Sequence, residues 1–382
     1  MTTPGDRTDT TTLNDLVGGE PVFATVLRAA GGSGLFLVGG SVRDAMLGRP
    51  QAGFDLDLAV DGPVAELARE LDPDAVFHER FDTAEIRIDG RAVDIARTRT
   101  ERYPHPGALP VVEPARIEDD LGRRDFTINA LALPIERPRE LIDPHGGRGD
   151  LDRGLLRVLH PDSFVDDPTR ALRAARYAAR LGFDLEMKTA ELVGAADLSK
   201  VSKERVDNEL SLIAAEPCAL EALRLAAAWG LLEAPEQRLE LCERAIEISQ
   251  LPGWREFTDR REIVLTAVHG PGREEIASLI PYPGSPSAAV ETVARASSTE
   301  LVLARAAGAE WLDRWLNDWR GVEPEVTGDD LLRAGIPRGP AIGAGLKAAL
   351  EARLDAGLQG REAQLERAVA AAKKLLREAS GP

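Results

Sequence analysis

The sequence predicts an α+β protein, a head of mixed strands and helices followed by a long, all-helical remainder. Three observations point there. Short apolar runs with strand character crowd between Leu35 and about Leu133. After Asp166 the strand signals fade, and Ala, Leu, Glu and Arg recur at helical spacing almost to Lys374. Finally, 382 residues exceed what one ordinary core organises, and at about 150 residues per domain the chain divides into two or three packed units.

Taken in order, residues 1–18 are rich in Thr, Asp and Gly, a composition that predicts disorder. Leu35–Val38 and Leu56–Val60 read as strands, as do Ala84–Ile88 and Ala92–Ile95, with a helix starting near Ser41 and another at Pro63. Arg97 to Gly107 reads as a polar, Pro-broken loop, and Gly146–Asp150, although it contains Arg-Gly-Asp, as a turn. In the helical part, Ser202 caps a helix running to Leu210, where Glu204, Arg205 and Glu209 are expected as structural ion-pair partners. Pro252, Pro271, Pro281, Pro283 and Pro286 punctuate the middle, and Gly335–Gly343 forms a tight turn opening a last set of helices.

Composition narrows the function classes. No apolar run approaches the roughly 20 residues a membrane span needs, and the first residues carry neither a basic nor an apolar stretch, so a cytoplasmic protein is expected. Two cysteines build no disulfide framework, and with five histidines they lack the spacing of a zinc site. The net charge of −17 confines any nucleic-acid surface to a local basic patch; the Arg-rich stretches 97–102 and 170–180 are the candidates.

The chemistry concentrates in Val38-Gly39-Gly40-Ser41-Val42-Arg43-Asp44 and Phe54-Asp55-Leu56-Asp57-Leu58. On a strand, Asp55 and Asp57 share one face, and two carboxylates held side by side call for a cation. Mg²⁺, bound through one or two carboxylates plus substrate phosphates, fits such a pair. The same alternation is also the ordinary polar face of a half-exposed strand. Gly39 and Gly40 would let backbone approach an anion at a helix N-terminus, with Arg43 adding charge, or would simply make a tight turn. Asp94, between Val93 and Ile95, is a third acid that could accept a proton if its strand lies beside that of Asp55, or a solvated strand position. Gly31, Gly32 and Gly34 precede the first strand, which does not fit a dinucleotide fingerprint, and no Gly-x-x-x-x-Gly-Lys-Ser/Thr occurs.

Two further motifs follow, Asp119-Asp120-Leu121-Gly122-Arg123-Arg124-Asp125-Phe126-Thr127-Ile128-Asn129-Ala130 and Asp166-Asp167-Pro168-Thr169-Arg170-Ala171-Leu172-Arg173-Ala174-Ala175-Arg176-Tyr177. Arg170, Arg173 and Arg176 recur every third residue, so a helix gathers them on one arc where they can converge on a ligand or pair with nearby acids. In this order, with the Gly-Gly and Asp-x-Asp segments, the motifs resemble the class II tRNA nucleotidyltransferase and bacterial poly(A) polymerase family over residues 20–215, and more weakly beyond.

The resemblance implies template-independent addition of CMP and AMP from CTP and ATP to the 3′ end of tRNA, with pyrophosphate released. CC-only, A-only and poly(A) addition, or a catalytically inactive RNA-binding protein, are the alternatives it leaves. It implies a catalytic head over 19–160, a neck with the base-recognition helix over 161–235, and a tRNA-binding body and tail over 236–382. By position, Asp55 and Asp57 would bind Mg²⁺ and, with Asp94, form the catalytic set. Gly40 and Arg43 would hold the triphosphate, Arg124 the incoming nucleotide, and Asp125 and Asn129 the sugar. Asp167 and Arg170 would read the base, with Arg173 and Arg176 nearby. The family often has Glu where this chain has Asp166, one methylene shorter. The segment at 97–107 resembles the family's flexible loop, which helps the switch from C to A, and the turn at Gly335–Gly343 opens a helix N-terminus suited to an RNA phosphate.

Overall fold

The described residues of the computed structural model form ten strands: β1 (Leu35–Val38), β2 (Leu56–Val60), β3 (Val76–His78), β4 (Thr83–Ile88), β5 (Arg91–Arg97), β6 (Arg99–Arg102), β7 (Val111–Pro114), β8 (Ala132–Pro134), β9 (Leu155–Leu156) and β10 (Asp184–Leu185). The structure describes residues 17, 19–32, 34–49, 56–136, 140–255, 257–270 and 273–379. Asp55 and most of the 1–18 segment, for which disorder is expected from sequence, lie outside the described residues.

Six strands pair in the order β3-β4-β5-β2-β1-β8. β2 and β5 run parallel, and the other neighbours are antiparallel. The inner strands are nearly continuous apolar runs: in β1 Leu35, Leu37 and Val38 are buried, and in β2 only Asp57 interrupts a buried row. Such runs are what a strand covered on both faces requires. One core joins Leu37, Leu56, Leu58 and Ile95 of the sheet to Phe23 and Val26 of the Pro21–Ala29 helix and to Phe126, Ile128 and Leu131. The Thr169–Leu181 helix enters the same core through Ala171, Ala174 and Ala178.

Several elements depart from the sequence reading. The polar segment after β5 is a two-stranded antiparallel ribbon, β6 with β7, in which Glu101 pairs with Val112. The short strands β3 and β8 were not foreseen, nor was the parallel pair of β9 with β10, whose second strand lies in the part expected to be all-helical. Gly147–Arg153 is a helix in place of a turn, and Asp150 of its Arg-Gly-Asp is fully buried. The helix Lys203–Ala215 begins as expected, with the Ser202 hydroxyl accepting from the Arg205 N–H.

The residues divide into two compact units between Glu233 and Ala234. Among its described residues the second unit is helical, from Glu236–Ser249 to Arg361–Ala379. Capping boxes at Ser297 with Glu300 and at Thr327 with Asp330 start two of its helices. Its last two helices, Pro340–Ala356 and Arg361–Ala379, approach so closely that a Cβ on Gly345 would lie 2.9 Å from the Ala368 carbonyl oxygen. No described helix is long and apolar enough to cross a membrane.

Candidate active site

β1 runs into Gly39, whose φ of 65° is left-handed, and the Gly40–Met46 helix follows at once. A Cβ on Gly39 would lie 2.8 Å from Arg124 Nη1 and 3.7 Å from Asp57 Oδ2, and one on Gly40 3.8 Å from the same carboxylate oxygen. Glycine at position 39 therefore suits both the backbone angle and the approach of Arg124, while Asp57 stands at ordinary contact distance.

Across the parallel ladder Asp57 is the register partner of Asp94, and Asp94 in turn of Glu85 on β4. Partners in register project from the same sheet face, so Asp94 does stand beside Asp57, on the exposed stretch of that face. Glu85 extends the row; only period-2 polarity in β4 could have marked it in the sequence. Among the described residues no group of three or more His, Cys, Asp or Glu side chains could hold a metal ion by itself. A hard cation that takes one or two carboxylates and completes its shell with substrate phosphates asks for no more than oxygen donors of the kind Asp57 and Asp94 supply.

The turn and Asp57 open onto a cavity of about 420 Å³. Of the residues the sequence singled out, Gly40, Asp57, Arg124, Asp125, Asn129, Asp167, Arg170 and Arg173 line it. Asp94 lies outside the lining. Arg43 is also not brought to the wall: it is 3% exposed, donates to Asp44 Oδ1 at 2.8 Å and Asn129 Oδ1 at 2.6 Å, and covers the Tyr177 ring at 5.1 Å. Arg176 is likewise held away, with Glu216 at 3.6 Å and Glu209 at 4.0 Å.

Arg99, Arg123, Arg124 and Arg173 are each fixed by an acid. Asp120, 1% exposed, accepts from Arg123 at 2.7 Å and Arg124 at 2.9 Å, one turn back on the Ile117–Gly122 helix. Burial alone would raise the Asp120 carboxyl, but Arg123 and Arg124 outweigh it and hold it below the usual carboxylate range. Asp125 accepts from the Phe126 N–H, from Asn129 at 2.9 Å and from Arg173 at 2.7 Å. Here too burial opposes ionisation and loses to Arg173 and Asn129.

Arg170, 4% exposed, donates through Nη1 to Ser163 at 2.7 Å and through Nη2 to the Arg123 carbonyl at 2.8 Å and the Tyr103 hydroxyl at 3.4 Å. Asp167 receives the Thr169 N–H and hydroxyl and Arg205 Nη2, all on Oδ1. Both groups are thus oriented by protein contacts, while Asp167 Oδ2 and two of the five N–H donors of Arg170 take no part in them.

Sequence reasoning missed Asp120, Arg99, Glu101, Tyr103, Phe81 and Tyr177 as parts of the site. The spacing of Asp120 from Arg123 and Arg124 was a usable signal. The others depend on the β6–β7 ribbon and on tertiary packing.

Residues 35–157 match the model of the Poly A polymerase head domain. Over 340 residues the chain is 36% identical to the CC-adding tRNA nucleotidyltransferase of Deinococcus radiodurans, covering 84% of each protein. This chain belongs to the tRNA nucleotidyltransferase family. It is also 43% identical over 195 residues to the A-adding tRNA nucleotidyltransferase of Halalkalibacterium halodurans, which covers 48% of this chain and 45% of that one. The chain spans less than half the length of the A-adding curated relatives it matches. The Thermotoga maritima CCA-adding enzyme, solved in complex with tRNA, superposes with a TM-score of 0.72 at 26% identity over 96% of this chain and 97% of that one. The whole cavity, from the Gly39 turn to Tyr177, belongs to the first unit and draws on the segment matched to the head domain and on the helix after it.

Proposed function

We propose that this chain adds CMP and AMP from CTP and ATP to the 3′ end of tRNA without a template, releasing pyrophosphate. The observation that carries the reading is the single cavity shared by the Gly39–Gly40 turn, Asp57, four oriented arginines and the Asp167–Arg170 pair.

The Gly39–Gly40 turn and Arg124 receive the triphosphate, where fixed donors neutralise charge without having to reorganise. Asp57 and Asp55, the latter outside the described residues, would hold Mg²⁺, which when bound neutralises phosphate charge and makes the RNA 3′-hydroxyl a better nucleophile. Asp94, next to Asp57 in register, is the acid placed to receive the hydroxyl proton. Asp125 and Asn129, bonded to each other, form the floor for the sugar. Asp167 Oδ2 accepts from the exocyclic amine that cytosine and adenine share, and the remaining donors of Arg170 meet ring acceptors; uracil and guanine offer a carbonyl where that amine should be. Arg173 supports the floor through Asp125, whereas Arg43 and Arg176 act from behind the wall, Arg43 by fixing Asn129.

The experiment supplies CTP and ATP, separately and together with Mg²⁺, to tRNA transcripts ending before CCA, after C and after CC. Completion of CCA on the shortest transcript is the expected result. Stopping at CC, or adding a single A only to the CC-ended transcript, assigns the partial activities carried in the names of the relatives, long A tails replace the reading with poly(A) addition, and no incorporation at all overturns it in favour of an RNA-binding protein. Asp57→Ala is expected to lower kcat by at least about a hundredfold, the scale of losing one pre-organised charge partner; an undiminished rate would remove Asp57 from the metal set.

A further inference from the structure

A second cavity, of about 340 Å³, lies against the first. Glu101, Tyr103, Arg123 and Arg170 line both, so these side chains form a common wall. Beyond the wall stand Asp119, His160 and Asp166. No role described above uses this space.

The wall's members are held very differently. Arg123 is tied to Asp120 at 2.7 Å and to Glu101 at 2.8 Å. Arg170 is tied to Ser163 at 2.7 Å and to the Arg123 carbonyl at 2.8 Å. Glu101 takes Arg99 and Arg123 together and is 8% exposed. Tyr103 is held through its hydroxyl, donating to Glu101 at 3.1 Å and accepting from Arg170 at 3.4 Å, and its ring lies 5.9 Å from the Arg170 guanidinium. It also sits one residue past the end of β6, where no ladder bond fixes its backbone. Tyr103 is the one uncharged panel of this wall, and its ring stands against the arginine assigned to the base edge.

We propose that Tyr103 is a specificity-determining residue whose ring closes the base pocket off from the adjoining cavity, limiting the space beside Arg170 to a pyrimidine and giving way for a purine. The inference rests on the proposed function, since it concerns which base that site accepts. The phenol suits the part: burial, countered by Arg170, pushes its pKa up to about 12, so it stays a neutral donor to Glu101 at any working pH. A ring that selects by filling space discriminates modestly, by about ten- to a hundredfold, as hydrophobic pockets do between substrates differing in size.

The test compares Tyr103→Ala, Tyr103→Leu and Tyr103→Phe with the unaltered chain, on whichever transcript that chain extends. It measures kcat/KM for CTP and ATP, and in parallel the equilibrium binding of each nucleotide. Removal of the ring in Tyr103→Ala is expected to raise the ATP to CTP ratio by about tenfold, with Tyr103→Leu intermediate and Tyr103→Phe, which keeps the panel, within about threefold of the starting ratio. Equal losses for both nucleotides in the Ala and Leu variants overturn the partition and leave Tyr103 a structural prop. A change in Tyr103→Phe as large as in Tyr103→Ala also overturns it, because the hydroxyl and not the ring would then carry the effect. If the unaltered chain incorporates nothing, the proposed function has failed, and the binding ratio decides the partition separately.

Discussion

Asp125 is 3% exposed and has both carboxylate oxygens engaged, one by the Phe126 and Asn129 N–H groups and the other by Arg173. Asn129 in turn receives Arg43, which pairs with Asp44, so one acid orders the sugar floor and the cation behind it. Removing its charge weakens the bonds it accepts from Arg173, Asn129 and the Phe126 N–H, and hydrogen bonds to a charged group are worth about 1.5–3 kcal/mol. Asp125→Asn is therefore expected to lower the melting temperature of the first unit by about 5–10 °C at pH 7, and calorimetry showing no shift would refute this account of the floor. The pH dependence has a definite sign. Asp120 and Asp125 titrate below the ordinary carboxylate value of 3.8 in the folded chain, so they stabilise it fully above that value and the contribution is lost as pH falls through their depressed values. Melting temperature measured downward from pH 5 should fall less steeply in Asp120→Asn and Asp125→Asn than in the unaltered chain. At this scale the sequence was most legible where motif spacing does the work. Asp57, Arg124, Asp125, Asn129, Asp167, Arg170 and Arg173 reach one cavity. It was least legible for Arg43 and Arg176, because no spacing says whether an arginine at the end of a motif faces a ligand or a buried carboxylate.

The β6–β7 ribbon shows why some elements were hidden. Its strands are four residues each, and the inward positions of β6 are Arg99 and Glu101, joined by an ion pair at 3.1 Å. The alternation is therefore written in charge, and a search for apolar periodicity passes over it. β1, β2, β4 and β5 were readable because their buried positions are Leu, Ile, Val and Ala. The connection between β6 and β7 is anchored at Gly107, with φ 72°. Its N–H donates to the Asp166 carbonyl at 3.1 Å and its own carbonyl accepts from Arg205 at 2.9 Å, the arginine that also holds Asp167. A Cβ there would overlap the Lys200 carbonyl. Gly107→Ala thus combines a left-handed backbone with a clash, at a cost of about 1–3 kcal/mol, and the connection should come off its anchor. Hydrogen exchange is expected to accelerate across residues 103–110 while the β2 and β5 amides keep their protection; unchanged exchange at the connection would mean the clash is relieved elsewhere.

For the molecule as a whole, the proposed function requires binding a polyanion with 64 acidic residues against 47 Lys and Arg, a net charge of −17. From sequence, the arginines of 97–102 and 170–180 are the natural phosphate track. In the fold those arginines are largely spoken for: Arg97 pairs with Asp82 at 3.3 Å, Arg99 with Glu101, Arg173 with Asp125, Arg176 with Glu216, and Arg180 with Asp44 at 3.2 Å. A paired arginine still donates hydrogen bonds but brings little net positive charge to a surface, and the salt dependence of RNA affinity counts the cations that displace counterions. An acidic chain whose Arg97, Arg99, Arg173, Arg176 and Arg180 are committed to internal pairs should therefore, on the proposed function, grip tRNA through few phosphates and depend more on shape and on the chemistry of the 3′ end. The expected slope of log K against log salt is shallow, about −2 to −4, corresponding to roughly two to five neutralised phosphates, and Arg97→Gln should leave it unchanged. Filter binding between 50 and 200 mM salt checks this. A slope near −8 would require an extended basic track that the paired arginines cannot provide, and would move the search for it to other residues of the chain.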